Sequence, residues 1–294
     1  MATDCIMPQE MARDVLPQLV ADDVRIDLQY EVKANLTAQE LRTLRDAGST
    51  WMQPGIESLC PCILKAFRKG VRASQNLLLL RECRSLGIAV SWNFLYGVPG
   101  DDLQEYRDLL RLLPAIVHLH APLSYSSIVL MRGSPYFDEA ERFGFRDVRP
   151  LSAYRYLYPP ETRLEDIGTV YDADWPSALD EDPGLAAQLR QGLEGWTELW
   201  RERARRPQLA GVPLPGGRVF VRDTRPCARE AVFLGDAECA EALAYFDAPR
   251  SMQEAEAVPP VILADLLDRA FVVGWDGHYL SLVTQGLSGA RPAR

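Results

Sequence analysis

One pattern repeats through the first half of the chain: an apolar, strand-like run ends in polar or glycine residues, and an amphipathic helix follows. Over residues 24–32, Ile26, Leu28, Tyr30 and Val32 alternate with Arg25, Asp27, Gln29 and Glu31, the period-two signature of a strand. Thr37-Ala-Gln-Glu40 has the spacing of a capping box, and the helix it opens carries Leu41 and Leu44 before stopping at Gly48. A second strand is expected over 50–56, a helix with Leu64 and Phe67 ends at Gly70, and a further helix over 74–86 ends at Gly87. A third strand over 88–96 enters Gly97-Val-Pro-Gly100, where Asp101 or Asp102 caps a helix running through Leu113. A fourth strand lies over 116–119 or resumes over 125–131.

Strand–helix repeats at this spacing predict a parallel sheet with right-handed crossovers, whose chemistry sits beyond the carboxyl ends of the strands. Those ends carry Glu31 and Lys33, then Gln53, Glu57 and Ser58, then Trp92, Asn93 and Tyr96. Four or five such units are too few for an eight-stranded barrel, so the sheet is expected to be open, partial or completed by another chain.

The texture changes after Gly144. Residues 148–185 are rich in proline, tyrosine and acidic side chains and read as an extended connector. A helix over 184–206 follows, with Leu185, Leu189, Leu193, Trp196 and Trp200 at helical spacing. The proline–glycine run at 213–217 marks a turn or linker. Beyond it come a strand over 218–222, helices over 237–246 and 258–270, and a hairpin over 271–283 turning at Asp276-Gly277. The expected division is a partial barrel over 1–147, a connector and helix packed on it over 148–210, and a small winged-helix-like module over 211–294.

Composition narrows the function classes. With 294 residues, 47% of them hydrophobic, the chain can bury a sizeable core. A net charge of -9 disfavours nucleic acid and anionic membrane surfaces as partners, since both would be repelled. The basic residues are arginines apart from Lys33, Lys65 and Lys69, which a GC-rich genome explains better than phosphate recognition. No run reaches the length of a membrane helix and no secretory signal opens the chain, so its six cysteines are expected as reduced thiols in a cytoplasm.

Single constellations are less specific. Cys60-Pro-Cys62 has too few soft ligands near it for zinc or an iron–sulfur cluster, and it reads better as buried thiols. His118 and His120 would share one face of a strand, and no third ligand accompanies them, so a packed pair is the better reading. Trp196 and Trp200, spaced i, i+4, read as core. The Gly97–Asp101 turn is as readily a tight turn and helix cap as a ligand loop. No metal site and no catalytic residue is assigned.

Taken in order, Tyr30-Glu-Val-Lys-Ala-Asn-Leu36, Gln53-Pro-Gly-Ile-Glu-Ser58, Lys69-Gly70, Ser91-Trp-Asn-Phe-Leu-Tyr-Gly-Val-Pro-Gly100 and His118-Leu-His-Ala-Pro122 resemble the cobalamin-dependent radical SAM C-methyltransferases that mature ribosomal peptides. Ser134-Pro-Tyr-Phe137, Arg142-Phe-Gly144, Arg149-Pro-Leu-Ser-Ala-Tyr154 and Tyr158-Pro159 continue the match, which covers about residues 2–175 and extends more loosely to Asp223-Thr-Arg-Pro226 and Leu234-Gly235. The resemblance implies an α/β fold, a partial parallel (βα) radical-SAM-type barrel with about four strands retained. It also implies S-adenosylmethionine, a [4Fe–4S] cluster and cobalamin as cofactors, and a precursor peptide as substrate. By position, Glu57 and Ser58 match the turn that faces S-adenosylmethionine, while Gln53, Glu31, Lys33 and Asn93 match other barrel-mouth positions that face cofactor or substrate.

The sequence departs from that family at the cluster. The CxxxCxxC motif that supplies the iron ligands is absent, and Cys5, Cys60, Cys62, Cys83, Cys227 and Cys239 cannot form one. Residues 2–7 resemble the family segment at the end of the second barrel strand, so the chain is expected to lack the cobalamin domain, the first strand and the cluster loop. Three readings follow. The chain is the C-terminal portion of such a methyltransferase, inactive alone, from a truncated gene or from a split one whose other chain supplies the missing N-terminal half. It is a non-catalytic partner that binds the precursor peptide or a cluster-bearing enzyme. Or it is a different enzyme that uses Glu57 or the histidine pair without iron. An exposed sheet edge left by missing strands is expected to drive association.

Overall fold

The computed structural model describes residues 6–286 apart from Gln9 and Arg25, so Cys5 lies outside the described residues. The first described element is a helix that the sequence reading did not anticipate. A wide π-turn over Met11–Val15 continues into α1 (Leu16–Ala21), and Leu16 is fully buried against the barrel core.

Three βα steps and a final strand follow. β1 (Leu28–Val32) leads to α2 (Ala38–Asp46), which Thr37 and Glu40 open with the expected reciprocal capping box. β2 (Ser49–Pro54) leads to α3 (Pro61–Ala66) and α4 (Ala73–Leu86), and α4 ends at Gly87 in the left-handed conformation that a Cβ would disfavour. The third strand divides into β3 (Ala89–Val90) and β4 (Asn93–Leu95), and α5 (Leu103–Ile116) follows with Asp102 as its N-cap. β5 (Ser124–Ser126) is the last of the series. β1, β2 and β3 pair in parallel in that order, and β4 pairs in parallel with β5. This is the parallel α/β arrangement that the repeat predicts, in the partial form that the resemblance implies. Leu41, Leu44, Met52, Leu77, Trp92, Phe94 and Leu109, from its strands and its helices, belong to one buried apolar core.

Residues 116–119 are not a strand. They close α5 in a turn, and three indoles satisfy its carbonyls: Trp200 Nε1 donates to Val117 O at 2.8 Å, Trp196 Nε1 to Leu119 O at 3.0 Å and Trp92 Nε1 to His120 O at 2.9 Å. These bonds take carbonyls that a helix end leaves free and that a sheet would otherwise need.

Nor is the connector wholly extended. β6 (Leu130–Met131), the one-turn helix α6 (Pro135–Asp138) and β7 (Arg146–Pro150) precede two further single turns, α7 (Tyr154–Leu157) and α8 (Leu164–Ile167), and then β8 (Val170–Asp174). The strands form an antiparallel sheet in the order β6-β8-β7 over a cluster of Leu130, Phe145, Tyr171 and Ala173. The proline and tyrosine content that reads as a connector builds short turns around this patch. α9 (Pro183–Arg201) then packs along α5 with Leu185, Leu189, Leu193 and Trp196 buried.

The C-terminal part holds two sheets. β9 (Leu209–Pro213), β10 (Val219–Asp223) and β11 (Val232–Gly235) form an antiparallel meander, and α10 (Ala237–Tyr245) follows. β12 (Arg250–Ser251), α11 (Met252–Ala255), α12 (Pro260–Asp268), β13 (Val272–Trp275), β14 (His278–Ser281) and β15 (Thr284–Gln285) complete the chain. The sheet orders are β11-β10-β9-β15 and β12-β14-β13. This part is locked to the barrel. Asp276 Oδ2 accepts the first N–H of α4 from Ala73 at 2.9 Å, Trp275 Nε1 donates to Leu59 O at 2.9 Å, and Arg81 donates to Ser281 O at 2.9 Å.

Candidate functional site

At the carboxyl ends of β1, β2 and β3 lies a cavity of about 570 Å³ lined by Glu31, Lys33, Gln53, Glu57, Lys69 and Asn93, with Gly55 and Trp92 among its walls. Strand pairing explains the convergence. Glu31 and Gln53 are direct partners in the parallel register of β1 and β2, so their side chains share a face. Asn93 opens β4, where its Oδ1 accepts from Ser124 Oγ at 2.8 Å. Five of the six residues expected to face a ligand therefore meet at one mouth.

Ser58 is the exception. It is fully buried, and its Oγ accepts from Cys60 N at 3.2 Å. The cause is the backbone of its neighbour: Glu57 has φ +58°, a left-handed conformation uncommon for a residue with a side chain. That conformation aims the Glu57 carboxylate outward and turns Ser58 into the protein.

The strained turn is held from several sides. Leu95 N donates to Glu57 O at 2.6 Å, Gly55 N donates to Val32 O at 3.0 Å, and the buried Asn76 of α4 donates from Nδ2 to Ile56 O at 3.1 Å and Ser58 O at 3.0 Å. Lys69 Nζ donates to Glu57 Oε1 at 2.6 Å, which fixes the carboxylate while leaving its second oxygen uncommitted. Strain of this kind persists where surrounding structure over-determines it, commonly at ligand sites. Asn76 and the pairing of Lys69 were missed in the sequence. Lys69 is visible there only at a helix end and within the Lys69-Gly70 motif, neither of which assigns it a partner, and nothing local singles out an asparagine within α4.

The other constellations are used in packing. Gly97 N donates to Tyr106 Oη at 2.8 Å, Tyr106 donates to Asp101 at 2.9 Å, and Asp101 accepts from Ser177 Oγ at 2.7 Å and Ala178 N at 2.6 Å, so the Gly97–Asp101 turn is a tied corner outside the cavity. Burial pushes the thiols of Cys60, Cys62 and Cys83 up, with Cys62 also hydrogen-bonded to the Glu105 carboxylate, so all three stay protonated. His118 is buried, with its Nε2 on Leu282 O at 2.9 Å. His120 stacks on Trp200 at 4.8 Å, and burial, with Arg84 and Arg206 nearby, pushes its pKa down to about 3. Among the described residues no group of three or more His, Cys, Asp or Glu side chains could hold a metal ion. A [4Fe–4S] cluster therefore does not fit the described residues. A second cavity, of about 590 Å³ between α5 and the β13–β14 hairpin, gathers none of the expected site residues.

Residues 10–113 match the family model described as the radical SAM superfamily, a stretch that runs from the first helix into α5 and contains most of the cavity's lining. That segment folds as parallel strands alternating with helices. No curated protein matches the chain. Among solved structures, the cobalamin-dependent S-adenosylmethionine radical enzyme OxsB with aqua-cobalamin bound is similar at 15% identity and a TM-score of 0.40, covering 58% of this chain and 30% of that one. The radical S-adenosylmethionine methyltransferase TsrM from Kitasatospora setae, with cobalamin and a [4Fe–4S] cluster bound, is similar at 18% identity and a TM-score of 0.43, covering 62% of this chain and 40% of that one. The same enzyme with tryptophan and the SAM analogue aza-SAM gives 18% identity and a TM-score of 0.44 over 62% of this chain and 39% of that one. The chain thus spans well under half the length of these proteins. Among the described residues no helix is long and apolar enough to cross a membrane.

Proposed function

We propose that the chain is the S-adenosylmethionine-binding portion of a cobalamin-dependent radical SAM C-methyltransferase acting on ribosomally made peptides, and that it is not catalytic by itself. The observation that carries the reading is the convergence of Glu31, Lys33, Gln53, Glu57 and Asn93 on one strand-end cavity, beside a Glu57 turn held in a left-handed conformation. The donor set suits the ligand. Glu31 and Glu57 would hold its cationic end, Lys33 its carboxylate, and Gln53 and Asn93 its hydroxyl groups or base edges. S-adenosylmethionine, when bound, supplies a methyl group or, after one-electron reduction, a 5′-deoxyadenosyl radical. That reduction needs an iron site, and since the described cysteines offer none, no step through a cluster is assigned to these residues. Cobalamin and the chain that would bring the iron ligands belong to the same proposal.

Equilibrium dialysis with labelled S-adenosylmethionine tests the binding. Saturable uptake is expected, weakened about tenfold or more by Gln53→Ala or Glu57→Gln, each equivalent to about 1.4 kcal/mol. An absence of saturable binding, or variants indistinguishable from wild type, would overturn the reading.

A second reading is a non-catalytic partner that binds the precursor peptide or a cluster-bearing enzyme in a cytoplasm. It draws on the C-terminal part, where α10, β12, α11, α12, β13 and β14 follow one another as in a winged-helix module and the sheet runs β12-β14-β13. Peptide binding without S-adenosylmethionine binding would favour this reading over the first.

A further inference from the structure

A cation taken out of water is costly unless it is paired, and the two fully buried arginines follow that rule. Arg81 meets Glu82 and Asp247, and Arg225 meets Asp223. Arg84, in the last turn of α4, does not. It is half-buried, and its guanidinium makes no hydrogen bond or ion pair among the described residues. It lies over the Trp200 indole, 5.0 Å from the ring centre. Arg206 lies over the same indole at 4.7 Å, and its Nε donates to Trp200 O at 3.0 Å. Burial, with Arg206 and Arg203 nearby, pulls the Arg84 guanidinium below its ordinary range, and no carboxylate counters that pull. The acidic side chains that adjoin Trp200 in sequence are engaged elsewhere, Glu198 by Arg201 at 2.9 Å and Glu202 by Arg205 at 3.1 Å.

A second feature of the same spot is independent of these charges. His120, 7% exposed, stacks on Trp200 at 4.8 Å, and its buried Nδ1 has no hydrogen-bond partner. Buried polar atoms are nearly always partnered in folded proteins. Two guanidiniums and an imidazole thus surround one indole, and Trp200 O is the only acceptor their side chains use among the described residues. The end of α4 accounts for part of this. A helix C-terminus favours a cation by about 0.3–1 kcal/mol, but it takes up none of the five donors of Arg84.

Such a set of donors recognises an anion, and the indole narrows its kind. Both arginines and the histidine already lie against Trp200, which leaves no ring for a nucleobase to stack on. Guanidinium forks match the oxygens of a tetrahedral oxyanion. We propose that Arg84, Arg206 and His120, set around Trp200, form a binding site for a phosphate group, free or as a monoester, with the exposed Arg203 at its rim. The guanidiniums donate to the phosphate oxygens, and the anion selects the His120 tautomer that carries its proton on Nδ1. α4 begins beside the strand-end cavity and runs 14 residues, about 20 Å, so this site lies at the opposite end of the sheet and is independent of the S-adenosylmethionine reading.

Calorimetric titration of the full chain in chloride buffer tests it, with inorganic phosphate, glycerol phosphate and, as a carboxylate control, succinate. Phosphate or its monoester is expected to bind saturably and about tenfold or more tightly than succinate, and the tighter of the two identifies the source. Arg84→Gln and, on a separate segment, Arg206→Gln are each expected to weaken binding about tenfold or more. His120→Phe, which keeps the stack and removes the ring nitrogens, is expected to weaken it about threefold or more. Arg205→Gln, which alters an exposed arginine already paired with Glu202, is expected to change it less than about twofold. Thermal denaturation separates the site from a charge that serves the helix end alone. Phosphate is expected to raise the midpoint of the wild type and not that of Arg84→Gln, which in phosphate-free buffer is expected to be at least as stable as the wild type. No saturable binding by the folded wild type, equal binding of succinate, or folded Arg84→Gln and Arg206→Gln variants that bind unchanged would overturn the proposal. So would an Arg84→Gln variant destabilised equally with and without phosphate, which would make Arg84 a partner of the helix end only.

Discussion

Glu57 illustrates how one backbone angle decides what a side chain can do. At φ +58° its carboxylate reaches the cavity, and Ser58, next in sequence, is driven inward. Reading 53–58 as a strand end with every polar residue exposed cannot anticipate that reversal, because the φ is imposed by Asn76 from α4, which is distant in sequence. Replacing Asn76 with Ala leaves two buried carbonyls without donors and is expected to cost about 2 kcal/mol or more of stability. Urea denaturation measures this, and S-adenosylmethionine affinity should fall with it. The buried histidines act at the same scale. An unfolded chain protonates histidine below about pH 6.5, whereas folded His120 resists protonation until about pH 3. The unfolded state therefore binds more protons across that window, and stability falls as the pH drops through it. His120→Leu is expected to flatten the slope by about 1.4 kcal/mol per pH unit between pH 6 and 4. An unchanged slope in denaturation curves would contradict the neutral, buried assignment.

At the scale of elements, the parts legible in the sequence are those specified locally. The Thr37–Glu40 capping box, the stop at Gly87, and the hairpin over 271–283 with its turn at Asp276-Gly277 all depend on near neighbours, and all are present. Residues 117–120 depend on Trp92, Trp196 and Trp200, so no local pattern reveals that the carbonyls of Val117, Leu119 and His120 are already bonded. Arg225 is another long-range joint. Its guanidinium, fully buried, meets both oxygens of Asp223 at 2.9 and 2.7 Å and also donates to Ala115 O at the end of α5 and to Arg269 O and Ala270 O after α12. Every donor is used, so the pair is stable only as a unit. Arg225→Ala strands a buried carboxylate and is expected to destabilise the fold by about 3–5 kcal/mol, read from thermal or chemical denaturation.

For the whole molecule, the strand-end mouth and the sheet edges are separate surfaces. At one side of the barrel sheet Met7 N donates to Glu31 O at 2.8 Å, which partly occupies the β1 edge where an open, adhesive margin was expected. At the other side β5 has one neighbour, and Leu123, Val129 and Met131 lie exposed near it. Association is expected to run through that margin, giving light-scattering masses above the monomer and hydrophobic-dye binding. A monodisperse monomer that binds no dye would contradict this. Anaerobic iron–sulfur reconstitution is expected to leave only trace iron, and about four irons per chain would mean that the cysteines assemble a cluster after all.

The most direct test of the central claim is hydrogen exchange of the purified chain with and without S-adenosylmethionine, read by mass spectrometry. Protection confined to segments around Glu31–Asn35, Gln53–Ser58 and Trp92–Tyr96 is the predicted result. Protection elsewhere, or none at saturating ligand, would contradict the assignment of the strand-end cavity.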